Sequence, residues 1–328
     1  MPVSETPPAS EPQACGTVLM IRPARFGANP ETAGTNFFQS SAHGDEAVGR
    51  NVRPAIAALP PSMAVAARAR SEFDALATNL AAAGVRVIEI AGARDDALPD
   101  EVFPNNWLSL HADGTAVLYP LLAPNRRRER RADVIDTLRA QRVFAPRRVV
   151  DLSSLERQGV YLEGTGSVVL DRVGRVAYAC LSPRTHPQAL AELGRELDYE
   201  VVPFAAVDRE GRAIYHTNVL LAIGTRFAVL CSRAVAPPQR AALVERLEAS
   251  GRELVDLSFE QLHAFTGNVL ELATRRGAVI ALSKAALESL DAPQRKTLAG
   301  YGELVATDIG TIERYGGGSV RCMLAEVP

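Results

Sequence analysis

One unit recurs along this chain, and the recurrence limits the possible fold more than any single motif does. "NNWLSLHADGTAVLYPL" is an apolar run, a turn at Asp113-Gly114 and a second apolar run. "GTGSVVLDRVGRVAYACLS" repeats the pattern with a turn near Gly174, and "HTNVLLAIGTRFAVLCS" does so with a turn at Gly224-Thr225. "GNVLELATRRGAVIALS" turns near Gly277. Each reads as a β-hairpin. A helical stretch with one apolar stripe then follows, marked by Val134, Ile135 and Leu138, by Leu190, Leu193 and Leu197, and by Leu243, Val244 and Leu247. A strand closes each unit: "RRVVDLS", "YEVVPF" and "RELVDLS", with "APQRKTLAGYG" and "ELVATD" as a looser last copy. The N-terminal part supplies "TVLMIRP", a helix around "ARARSEFDALATNLAAAG", and "VRVIEI". It makes a fifth unit if the final strand, "VRCMLAEV", pairs with its first. The pattern predicts a single α/β domain over residues 17–328, with pseudo-fivefold symmetry and ββαβ-type repeats.

Residues 1–16, "MPVSETPPASEPQACG", have neither a basic start nor an apolar stretch, and read as a disordered tail rather than a signal peptide. No apolar run reaches transmembrane length. With 36 basic and 38 acidic residues the formal charge is −2, so no broad field for nucleic acid is expected. Cys15, Cys180, Cys231 and Cys322 show neither CxxC pairing nor metal-ligand spacing. A cytoplasmic protein with reduced thiols, no metal and no membrane contact is expected, and a homo-oligomer is compatible with the sequence. The segment from Gly27 to Ser62, rich in Gly, Asn, Ala and Pro, is a candidate lid.

Units set around an axis bring equivalent positions to one mouth. The residues that open the hairpins are Asn105 and Asn106, then Glu163, then His216 and Asn218, then Asn268, and finally Cys322 behind Gly316, Gly317 and Gly318. Taken singly, Glu163 reads more readily as a turn cap and His216 as a core histidine. An acid, an imidazole and a thiol at one phase of a repeat instead meet the requirement for thiolate catalysis, a nucleophile with a base and an orienting group.

"FPNNW", "LEGTGS", "SPRT", "YHTNV" and "GGGSVRCM" together resemble the amidinotransferase and arginine deiminase superfamily, the penteins, and most closely its citrulline-utilisation hydrolase branch. The resemblance runs from about "VLMIRP" to the end and implies a five-bladed α/β propeller that needs no cofactor. It implies Cys322 as nucleophile, His216 as general acid/base and Glu163 as the carboxylate contacting the substrate's nitrogen-rich head. It also implies Arg184 in "SPRT", and Arg126 with Arg127 as its close competitor, as carboxylate-binding arginines. Asn106 and Asn218 stand where arginine deiminases carry aspartates. Without those charges Glu163 alone would face a cationic head. The expected reaction is hydrolysis of the ureido group of citrulline or a close relative to ornithine, ammonia and carbon dioxide. The alternatives are an arginine deiminase or dimethylarginine dimethylaminohydrolase-like reaction, an amidinotransferase, and a non-catalytic ribosome-binding member.

Overall fold

The computed structural model describes residues 11–39, 61–93 and 98–328. Its first sheet is built on β1 (Thr17–Arg22) and β2 (Arg86–Ala91). Next come β3 (Leu108–Leu110), β4 (Thr115–Leu118) and β5 (Arg148–Asp151), then β6 (Val169–Asp171), β7 (Val176–Cys180) and β8 (Glu200–Phe204). The remaining strands are β9 (Leu221–Ile223), β10 (Phe227–Leu230), β11 (Glu253–Asp256), β12 (Leu270–Thr274), β13 (Gly277–Ser283), β14 (Glu303–Thr307) and β15 (Ala325–Val327). Among the described residues these form five three-stranded sheets of mixed α/β architecture.

Four sheets share one pattern: a hairpin whose second strand takes a parallel third partner. In the second sheet Leu108 lies opposite Leu118 in the antiparallel pair, and Val117 lies beside Val150 in the parallel one. A parallel partner requires a crossover, which a helix supplies in each unit. These helices are α1 (Pro61–Ala82), α2 (Ala132–Ala140), α3 (Pro187–Leu197), α4 (Pro237–Ala249) and α5 (Ala292–Tyr301). The first sheet takes its antiparallel partner from the far end of the chain, with Thr17 opposite Val327 and Leu19 opposite Ala325.

Local chemistry explains the helices. In α3 the ring of His186 accepts from Gln188 N at 3.2 Å and Pro187 sits in the first turn, where its missing N–H costs nothing. Leu190, Leu193 and Leu197 all lie buried on one face. The helix α5 begins with a reciprocal cap between Asp291 and Gln294. Apolar clusters span neighbouring units: Leu19 and Ile88 pack with Leu108 and Val134, Val117 and Val150 with Leu170 and Ala177, and Val18 and Phe73 with Leu272 and Val279.

Three expectations change. Residues 11–16 are not a free tail, because Glu11 and Gln13 are buried. The amide of Gln13 donates to Leu170 O and Ile223 O, each at 3.0 Å, and Glu11 pairs with the buried Arg172. Residues 1–10 lie outside the described residues. Pro61 and Ser62 open α1 rather than ending a loop, and residues 40–60 of the candidate lid are also outside the described set. Cys322 sits not on the last strand but in a 3-10 turn, Val320–Met323, just before it. No helix among the described residues is long and apolar enough to cross a membrane.

Candidate active site

Each hairpin is entered through a short turn, and these turns carry the polar residues singled out by the repeat. Pro104–Asn106 precedes β3, Glu163 opens the one-turn helix Gly164–Ser167 before β6, and His216 opens the turn Thr217–Val219 before β9. Asn268 leads into β12 and Cys322 into β15. Asn105, Asn106, Glu163, His216, Asn218, Asn268 and Cys322 are all buried.

The backbone near Cys322 needs glycine. Gly317 has φ +63°, and a Cβ there would lie 2.5 Å from Asn36 Nδ2. The carbonyl of Gly317 accepts from the Tyr215 hydroxyl, which ties this loop to the residue before His216. The Cys322 sulfur accepts from two buried amides, Asn218 Nδ2 at 3.3 Å and Asn268 Nδ2 at 3.2 Å. Burial pushes the other thiols up, Cys15 and Cys180 to about 12 and Cys231 to about 11, so they are poor nucleophiles at neutral pH.

His216 Nε2 lies 2.8 Å from Glu163 Oε2. Burial pushes the imidazole down to about 4; Glu163 opposes that shift, and Arg184 and Arg126 add to it. Burial alone would raise the Glu163 carboxyl, but Arg184, His216 and Arg126 hold it well below the usual carboxylate range. The resting pair is therefore a neutral imidazole donating Nε2–H to a carboxylate, with Nδ1 left as the basic nitrogen.

Arg126 and Arg184 both reach the site. Arg126 binds Glu129 through Nε and Nη2, donates from Nη1 to Asn106 Oδ1 at 2.9 Å, and lies 3.7 Å from Asp100. Burial opposes its charge, but Glu129, Asp100 and Glu163 raise its pKa further above the ordinary arginine value. Arg127 turns away to Leu121 O and Leu122 O. Arg184 donates to Glu163 Oε2 at 3.3 Å, to Thr32 O at 3.0 Å and to Thr35 Oγ1 at 2.8 Å, above the ring of Tyr215.

These groups meet in a small pocket lined by Asp100, Asn106, Arg126, Arg184, His216 and Cys322, among others. Glu163 stands behind His216 and Arg184 rather than on the wall, and Asn105 stands behind Asn106, accepting its amide at 3.1 Å. Asn106 spends its oxygen on Arg126 and its nitrogen on Asn105, so it is less free for a substrate head than the sequence suggested. Among the described residues, no group of three metal-ligating side chains is placed to hold an ion.

Sequence reasoning missed Asp100. Its Oδ2 accepts from Asn29 Nδ2 at 2.7 Å, while its buried Oδ1 has no hydrogen-bond partner among the described residues. Burial pushes this carboxyl up against the pull of Arg126. Asp100 lies outside the repeat phase, in "LPDEVFPNN", where an acid before a turn carries no signal of its own. The segment 29–39 was expected only as part of a lid. It rests on the site through Asn29, Thr32, Thr35 and Asn36, the last donating to Gly316 O and Gly317 O.

A family model described as N,N dimethylarginine dimethylhydrolase, eukaryotic, matches residues 22–328. The chain belongs to this family. Through it the chain is a member of the pentein superfamily and is a hydrolase, as its relatives that cleave guanidino and amidino carbon–nitrogen bonds are. No curated protein matches the sequence. Similar solved structures include the N-terminal domain of ArgZ, an arginine dihydrolase from the ornithine-ammonia cycle in cyanobacteria. It has 17% identity and a TM-score of 0.66 over 95% of this chain and 97% of that one. Unliganded AgrE gives 17% and 0.67, with the chain spanning 39% of that protein. A dimethylarginine dimethylaminohydrolase variant carrying an S-methyl-L-thiocitrulline adduct gives 16% and 0.59 over 95% and 99%. At such identities the likeness to these structures carries the fold.

Proposed function

We propose that this member of the dimethylhydrolase family is a cysteine-dependent hydrolase of the head group of an arginine-like amino acid, with the ureido group of citrulline as its preferred substrate. We read its five sheets as blades around one axis, which explains why the pre-hairpin turns converge. The observation that carries the proposal is the sharing of one buried cavity by Cys322, its sulfur between two amide donors, and His216, its ring on a buried carboxylate.

Cys322 attacks the ureido carbon and forms a C–S bond. His216 passes a proton to the side-chain nitrogen as its bond to that carbon breaks, releasing ornithine and leaving an S-carbamoyl group. Because His216 rests neutral, it first collects that proton, which the attacking thiol supplies. His216 then takes a proton from water, whose oxygen attacks the carbamoyl carbon. The C–S bond breaks, and the carbamate that leaves falls apart to ammonia and carbon dioxide. Arg184 and Arg126 bring two guanidinium charges to the amino acid's carboxylate, and engaging it requires them to release contacts such as those to Thr35 and Asn106. Asn218 supports the sulfur from outside the cavity wall rather than the substrate head.

The second reading is a guanidino substrate, arginine or a methylated arginine, handled by the same residues. The family supports it, and so does Asp100, whose unpaired buried oxygen suits a cation. Asn106 and Asn218, which by the resemblance stand where arginine deiminases carry aspartates, bring no negative charge to a guanidinium, and an unpaired buried charge costs ~3–5 kcal/mol. A kcat/KM for citrulline roughly a hundredfold above that for arginine is therefore expected. Assays of citrulline, arginine and dimethylarginine, scored for ornithine and ammonia, measure it. Faster turnover of arginine would move the assignment to the second reading.

A further inference from the structure

We infer that Asn268, together with Asn218, is a catalytic donor that stabilises the Cys322 thiolate. This rests on the reading of Cys322 as the nucleophile. Asn268 Nδ2 lies 2.9 Å from Asn218 O and 3.2 Å from the Cys322 sulfur. The first contact fixes the side chain's orientation. Flipping the amide would set two oxygens against each other at 2.9 Å, so the nitrogen must face both partners. One N–H therefore goes to a backbone carbonyl and the other to sulfur.

Asn218 brings a second N–H to the same sulfur from a different unit, at 3.3 Å. Neither residue is more than 1% exposed, so water does not compete for these bonds. Their own oxygens, Asn218 Oδ1 and Asn268 Oδ1, have no hydrogen-bond partner among the described residues, a cost that a purely structural role would not require. A thiol sulfur is a weak acceptor and a thiolate a charged one, so two buried donors favour the ionised form selectively. They would also receive the sulfur when the S-carbamoyl bond breaks.

Hydrogen bonds to a charged group contribute ~1.5–3 kcal/mol, which converts to about one to two pH units in the position of an ionisation. The experiment measures the rate of Cys322 alkylation by iodoacetamide across pH, with no substrate present. In Asn268→Ala the half-maximal pH should rise by about one unit or more, and kcat should fall about tenfold with KM little changed. Asn218→Ala removes the other donor but keeps the Asn218 carbonyl that Asn268 binds, so it should shift the profile similarly even if Asn268→Ala folds poorly. A folded variant at either position with the wild-type alkylation profile would overturn the inference. Failure of the hydrolase reading is separable, since an active Cys322→Ala enzyme would remove that reading while the alkylation profile still reports on the donors.

Discussion

His216 is a base kept neutral by burial, and that has a cost in acid. Its folded pKa of about 4 lies below the ordinary value of 6.5, so the unfolded chain binds the extra proton in that window. Stability from this group is complete above 6.5 and is lost as pH falls toward 4. Glu129 and Glu313, both pushed up to about 7 by burial, work in the opposite direction, so wild-type stability alone mixes the effects. The difference between wild type and His216→Gln isolates the imidazole. Urea unfolding should show the wild type losing about 2 kcal/mol relative to the variant between about pH 8 and about pH 5. A pH-independent difference would mean that His216 is not held neutral. Two further residues qualify the charge picture of the site. Asn106 is already committed to Arg126, whereas Asp100 supplies a buried carboxylate on the cavity wall.

At the scale of elements, the hairpins and helices were legible because turn glycines and helical stripes recur at the same phase. That phase also led to Glu163, His216, Asn268 and Cys322, since each opens a hairpin. Asp100, Thr32 and Thr35 were not legible, because they reach the site from loops outside the repeat and their polarity is ordinary for loops. The expectation of a free tail over residues 11–16 failed for a related reason: Glu11 and Gln13 are polar in sequence, and only tertiary partners bury them. The triple glycine has a sharper meaning than a generic flexible link. Gly317→Ala must place a Cβ at positive φ and against Asn36, and should cost about 1–2 kcal/mol with loss of activity. Gly300 in α5 has open space around its Cβ position, so Gly300→Ala should be neutral or stabilising by about 0.5–1 kcal/mol. Thermal unfolding and turnover of the two variants check this. Equal effects at both positions would show that the backbone at Gly317 is not strained for other residues.

At the scale of the whole molecule, the site exists only because distant parts of the chain meet. The last strand closes on the first, and residues 11–16 reach several units at once: Gln13 holds β6 and β9, Cys15 O accepts from Ala273 N on β12, and Gly16 O accepts from Arg86 N on β2. Buried charges continue the link toward the nucleophile, from Glu11 to Arg172, from Arg172 to Glu326, and from Glu326 to Arg321 beside Cys322. Bringing Cys322, 106 positions after His216 in the numbering, to the same cavity is a task for the fold rather than for any local motif. The most direct test of the resulting chemistry is mass spectrometry of a citrulline reaction stopped early by acid, followed by digestion. A carbamoyl adduct on the peptide containing Cys322, absent from Cys322→Ala protein that is folded but inactive, is the predicted result. Undiminished turnover by Cys322→Ala, or an adduct on another residue in its place, would contradict it.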